Sequence, residues 1–249
     1  RKETRMTAVT DCLDCPLRCK PLFVPMSEDE LAFMRRFKTG EAEVLQSRDV
    51  MSQGQKSPIL QTVLSGMAVR SVLLEDGRRQ VINFVFPGDL LGLQSGLMGE
   101  NRHSVTAVTD MTLCTFPRGK VWDLFVKQPE RAYDLTWIAA VEEHFLGETV
   151  ATLGQRDALE RVAWALVRIW RRLVALGMEQ GGSVPFPFRQ QDLADALGLS
   201  IVHTNRRIVA LRQAGLVEVV ARRLVVHDLR KLSALAQIEM KKDDVRPIL

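Results

Sequence analysis

The stretch FRQQDLADALGLSIVHTNRRIVALRQAGLVEV, residues 188–219, limits what this chain can fold into more than any other. Gln190 to Leu197 has the apolar spacing of one short amphipathic helix, Gly198 supplies a turn, and Ser200 is a natural N-cap for a second helix ending near Gly215. Two short helices joined in this way make a helix-turn-helix. The 3.6-residue period puts Ile201, Thr204, Ile208 and Leu211 on one face of the second helix and Val202, Asn205, Arg206 and Val209 on the other. Asn and Arg can each form two hydrogen bonds to a purine edge, so an exposed face beginning with them suits the major groove of double-stranded DNA. The apolar runs LVEVV and LVVHD, joined by ARR, predict a small wing with Arg222 and Arg223 near phosphate. The expected DNA contacts are thus Val202, Asn205, Arg206, Arg207, Arg222 and Arg223. The plain alternative is a helical hairpin with solvated arginines; the turn glycine, the cap, the wing and the local charge together favour DNA.

That local charge is uneven along the chain. Residues 157–249 hold 15 Lys and Arg against 10 Asp and Glu, whereas the remaining 19 (34 − 15) and 20 (30 − 10) nearly cancel. A basic excess confined to the helix-turn-helix region fits a polyanionic partner. The 249 residues, 46% of them apolar, are enough for two cores. No apolar run of bilayer length and no secretory leader is apparent, so a cytoplasmic, membrane-free protein is expected.

The first half reads as strands. TVLSGMAVRSVLLEDGRRQVINFVFPGDLLG and SVTAVTDMTLCTFPRG are short apolar runs broken by turn signals such as EDGRR, which predicts a small barrel or sandwich. From Pro129 the period becomes helical, with Leu135, Ile138, Val141, Phe145, Leu146, Val150 and Leu153 on an apolar stripe that Glu142 and Glu143 interrupt. Such length suits pairing with a second helix, and Ile138 is expected in that seam. A further helix follows, capped by Asp157 and stopped at Gly177. The expected division is 1–128, a cysteine-bearing sensor region and barrel; 129–156, a dimerisation helix; and 157–249, the DNA-binding unit.

Three of the four cysteines, Cys12, Cys15 and Cys19, lie within CLDCPLRC, and the fourth is Cys114. In a reducing compartment, closely spaced thiols are more often metal ligands or redox groups than disulfides. Zinc, a thiol or disulfide switch and an iron–sulfur cluster all remain open on spacing alone. His103, His144, His203 and His227 are scattered, and there is no nucleophile elbow or Gly-rich nucleotide loop. A regulator, not an enzyme, is expected.

In order, FVFPGDLLG, DALERVAWAL and QQDLADALGLSIVHTNRRI make the chain resemble the Crp/Fnr transcription regulators over nearly its whole length. The resemblance implies an α+β fold: an N-terminal jelly-roll, cyclic-nucleotide-binding-like sensor barrel, a long dimerisation helix and a C-terminal winged helix-turn-helix. It also implies a homodimer on palindromic DNA, with RNA polymerase as a partner. The cyclic-nucleotide cassette of the family is broken here: Leu93 replaces its ribose-binding Glu, although Arg102, in Arg102-His103-Ser104, could still meet a phosphate. The cysteine pattern is similar to the Fnr branch, which implies a [4Fe–4S] cluster on Cys12, Cys15, Cys19 and Cys114, sensing oxygen or nitric oxide. The x3 spacing before Cys19 departs from better-known members, where it is longer. The alternative within the same family is a small ligand in the barrel, with the cysteines binding zinc or switching as thiols. At the base pair facing Val202, where that branch carries Glu, a different operator base is expected.

Overall fold

The computed structural model describes residues 9–240 and 245–249. Strands β1 (Gly40–Val44), β2 (Asp49–Met51), β3 (Ile59–Ser65), β4 (Ala68–Leu73), β5 (Arg79–Val85), β6 (Leu90–Leu91), β7 (Ser104–Ala107) and β8 (Met111–Pro117) form two antiparallel sheets, ordered β1-β8-β3-β6 and β2-β7-β4-β5. Val63, Leu91 and Leu113 of one sheet meet Ala68, Val85 and Val105 of the other, closing the barrel expected from the alternating apolar runs. Strand period two then decides where Cys114 goes. Met111 and Leu113 point between the sheets, so Cys114 and Phe116 face outward, where α1 (Glu28–Phe37) covers them and Phe37 stacks on Phe116. Ser27 and Glu30 cap α1 reciprocally.

Two short helices, α2 (Leu93–Met98) and α3 (Val121–Lys127), flank the barrel before α4 (Pro129–Gln155) begins with proline at its first turn, where no amide partner is lost. The apolar stripe of α4 does not form one seam. Leu135 and Ile138 are buried against Leu60, Phe116 and Leu124 of the same protomer, which corrects the placement of Ile138 in a dimer interface. The barrel is the nearest apolar surface, and it takes the side of the helix that faces it. Farther along, Phe145 stacks on Trp164 of α5 (Ala158–Ala175), with the Arg168 guanidinium over both rings.

The C-terminal unit follows: α5, β9 (Ser183–Pro185), α6 (Gln190–Leu197), α7 (Ile201–Gln213), β10 (Val217–Val220), β11 (Arg223–Val226) and α8 (Leu229–Leu235). Asp157 caps α5 and Gly177, at φ 65°, follows its last turn. Leu166, Leu173, Leu193, Leu197, Leu211, Leu224 and Leu232 fill the centre of this unit. Among the described residues no helix is long and apolar enough to cross a membrane.

Candidate functional sites: a reading head and a thiol pocket

In the reading head, Gly198 adopts the left-handed conformation that ends α6, and the Ser200 hydroxyl accepts the His203 amide to start α7. Thr204 and Leu211 are buried beneath α7; Val202, Asn205 and Arg206 project from it into solvent. Gln190 donates to Asn205 Oδ1 at 3.2 Å, so the first helix orients a groove-facing amide of the second. Arg207 lies half-buried on the flank. Ile201 is 44% exposed, contrary to its expected place on the buried face. Ten residues separate it from Leu211, which turns it about 80° away around an α-helix.

The wing turns through Ala221 and Arg222, both at positive φ. Arg222 stands out at the tip, its guanidinium donating to the Pro187 carbonyl at 3.3 Å. Arg223, expected beside it at phosphate, instead opens β11 and sends its guanidinium back to Ser183 Oγ at 2.7 Å and the Ser183 carbonyl at 2.8 Å. The left-handed turn at Arg222 and the start of the strand at Arg223 send two arginines adjacent in sequence different ways. In this structure the donors of Arg223 hold β9 to the wing.

The thiol pocket forms where the N-terminal loop lies on the outer face of β8. Cys12, Cys15 and Cys114 line one cavity together with Leu17, Met34, Lys38, Phe116, Ile248 and Leu249. Asp11 starts a short 3-10 turn, and Arg18 donates to the Cys12 carbonyl at 2.8 Å, bracing the loop. Burial pushes the Cys114 thiol up to about 11 even with the Lys38 ammonium beside it, and burial likewise raises Cys12. Both are therefore protonated at neutral pH, and a metal would have to displace those protons. Cys19 does not join them: it is exposed and outside the cavity, because Leu17 takes the buried position of this tight turn. Among the described residues no three Cys, His, Asp or Glu side chains stand grouped tightly enough to hold a metal as they are.

Residues 160–235 match the Crp-like helix-turn-helix domain and residues 42–128 match the cyclic nucleotide-binding domain. The nitrogen fixation regulation protein FixK of Bradyrhizobium diazoefficiens is 30% identical over 233 residues, 90% of this chain and 93% of its own length. The transcriptional activator protein FnrL of Cereibacter sphaeroides is 29% identical over 223 residues, 88% of this chain and 89% of its own. The chain belongs to the Crp/Fnr family. It is a DNA-binding transcription regulator of that type, as the Crp-like reading head and these relatives require. Its fold superimposes on the structure of FixK2 from Bradyrhizobium japonicum with a TM-score of 0.72, at 26% identity, over 82% of this chain and 99% of the other.

Within this Crp/Fnr barrel the nucleotide cassette is not assembled. Leu93 offers no acceptor, and Arg102 is exposed and pairs with Glu100 at 3.0 Å. Arg70 of β4 instead reaches Glu142 of α4 at 2.8 Å, tying barrel to long helix. Beside it, His103 is buried, and its Nε2 has no hydrogen-bond partner among the described residues.

Two features of this regulator had no signal in the sequence. Arg79, part of the EDGRR turn signal, donates to Asp192 and Asp195 of α6 at 2.7 Å each, and Gln80 donates to the Ala196 carbonyl at 3.2 Å. These bonds fasten the reading head to the N-terminal barrel. Lys38 and Glu41, both nearly inaccessible, form an ion pair beside Cys114, opposite Glu41 in the β1–β8 ladder.

Proposed function

We propose that this regulator senses oxygen or a related oxidant such as nitric oxide through a [4Fe–4S] cluster, and that the state of the cluster site sets dimerisation and DNA binding. The observation that carries the reading is the convergence of Cys12, Cys15 and Cys114, from two distant segments, on one cavity next to a buried ammonium. Four cysteine thiolates commonly hold such a cluster. Cys12, Cys15 and Cys114 would be three of them, and Cys19, on the same loop, would be the fourth. When bound, the cluster supplies chemistry that oxygen or nitric oxide attacks. The protein's own part is to exclude water from the site with Leu17, Met34 and Phe116 and to offset thiolate charge with Lys38.

A partner copy would meet the part of α4 that the barrel leaves bare. Tyr133, Ala140, Gly147 and Gly154 recur every seventh residue, Val150 is 71% exposed between the glycines, and none of the described residues crowds Gly147 or Gly154. Two reading heads on such a dimer would address a palindrome with half-sites about 34–36 Å apart. A sensor of this kind works only if the thiol-site ligand distinguishes the two states of the dimer.

The exposed position of Cys19 favours a second reading, in which three thiols take zinc or act as a reversible switch. Anaerobic reconstitution with iron and sulfide decides between them. A brown protein whose iron falls with Cys12→Ser, Cys15→Ser and Cys114→Ser alike is the expected result. A colourless wild type that retains zinc after the same treatment would overturn the cluster reading.

A further inference from the structure

The cavity that contains the thiols is not built by the sensor region alone. Residues 245–249, which follow the DNA-binding unit in the chain, return to the barrel and pair with the end of the cysteine loop: the Arg246 amide donates to the Leu22 carbonyl at 2.7 Å, and the Val24 amide donates to the Arg246 carbonyl at 2.8 Å. Ile248 and Leu249 are then buried at 3% and 6% exposure, and both line the cavity with Cys12, Cys15 and Cys114. Two further bonds hold the segment. Arg131 of α4 donates to the Ile248 carbonyl at 3.4 Å, and Arg246 approaches Asp89 at 3.5 Å. Asp89, in the FPGD turn, also takes Arg172 of α5 at 2.8 Å, so one carboxylate serves this segment and the DNA-binding unit together.

We propose that Ile248 and Leu249 control access to the deeper thiol of the site, Cys114: the segment 245–249 is a removable wall, and an oxidant or other reagent reaches Cys114 mainly when that wall lifts, whereas Cys12 also borders a surface cleft beside Arg35 and Arg36. The argument is steric and holds whatever the thiols bind. One side of the cavity is fixed by β3, β8 and α1 and another by the cysteine loop, residues 10–18, whereas this wall, residues 245–249, is held by two backbone bonds, the Arg131 hydrogen bond, the Arg246–Asp89 pair and two apolar side chains. Segments with so few buried contacts open locally far more often than barrel strands do. Access and docking are then thermodynamically linked. Whatever fills or enlarges the pocket weakens the docking of 245–249, by the same factor by which docking disfavours that occupant.

Cys19, exposed and outside the cavity, provides an internal reference. N-ethylmaleimide labelling of the reduced, metal-free full chain, followed cysteine by cysteine by mass spectrometry, reads access directly. The double variant Ile248→Ser/Leu249→Ser should label Cys114 about tenfold faster or more, because removing the apolar anchors raises the open population, while Cys19 keeps its wild-type rate. A Cys114 rate unchanged relative to Cys19 would overturn the proposal. A second measurement needs no variant: hydrogen exchange at the Val24 and Arg246 amides, before and after the wild-type thiols are alkylated. Exchange about tenfold faster at both is expected, since an adduct in the cavity occupies the space of Ile248 and Leu249. Unchanged exchange at both amides would equally overturn it. Neither readout depends on iron, so a failed cluster reading and a failed wall are told apart.

Discussion

Lys38 and Glu41 grip the Thr10 peptide from both ends. The Lys38 ammonium donates to the Thr10 carbonyl at 2.6 Å, the Thr10 amide donates to Glu41 Oε1 at 3.0 Å, and the two side chains pair with each other at 2.7 Å. The ion pair thereby fixes the backbone two residues before Cys12 against the strand opposite Cys114. Glu41→Leu alone leaves an ammonium buried without its carboxylate, at an expected cost of about 3–5 kcal/mol. The double variant Lys38→Met/Glu41→Leu should recover most of that loss. Urea unfolding of the two variants measures the difference; equal losses in both would show that the pair is not coupled.

His103 predicts an acid limb in the stability profile. Burial and the positive charge of Arg70 push its imidazole down to about 4, from an ordinary 6.5. Between those values the unfolded chain takes up a proton that the folded chain refuses, so stability falls as pH drops through this window. The slope is about 1.4 kcal/mol per pH unit, roughly 3 kcal/mol in all. Thermal melts between pH 7 and 4 should show a shallower decline for His103→Gln than for wild type, once the midpoints are compared with those at pH 7.

Arg79 joins barrel and reading head through Asp192, which is fully buried, and Asp195. Arg79→Ala removes the one guanidinium that, among the described residues, reaches both carboxylates, and should cost about 1–3 kcal/mol. Asp192 also accepts the Arg189 amide at the start of α6, so Asp192→Asn perturbs the cap as well as the latch. A double-mutant cycle on Arg79 and Asp192 isolates the latch; a coupling near zero would place the loss elsewhere.

Two substitutions on α4 separate the interface from the core. Val150→Glu alters the bare stripe and should dissociate the dimer while leaving the protomer melting temperature close to wild type. Ile138→Glu buries a charge in the barrel packing and should lower protomer stability by several kcal/mol. Sedimentation paired with melting curves distinguishes them, and an unchanged dimer in Val150→Glu would reject the stripe as the seam.

In the reading head, Arg206→Ala should weaken operator binding by about 1–3 kcal/mol and relax preference at one guanine per half-site. Arg222→Ala should weaken all sequences alike and reduce the salt slope by about one unit. Arg223→Ala should leave that slope alone and loosen the wing, because its donors go to Ser183. Binding-site selection and salt titration of the three variants test this division, including the base pair facing Val202.

The helix-turn-helix was legible because its signals are local: Gly198 at the left-handed turn, Ser200 as cap and the 3.6-residue period of α7 lie within a few residues of what they specify. The barrel followed from period-two alternation and turn glycines, and the long helix from its unbroken run after Pro129. What the sequence left undecided depends on neighbours distant along the chain. Ile138 and Val150 belong to the same apolar pattern, yet only the barrel's presence on one side of α4 makes the first a core residue and leaves the second bare. Arg222 and Arg223 are adjacent and chemically identical, and the wing turn sends one to solvent while the strand that follows sends the other to Ser183. The grouping of Cys12 and Cys15 with Cys114, the separation of Cys19 from them and the closing of that cavity by Ile248 and Leu249 were set by tertiary packing. Period and propensity act within a turn or two, but a pocket is a meeting of surfaces, and only the folded chain brings residues 12, 114 and 248 to one place.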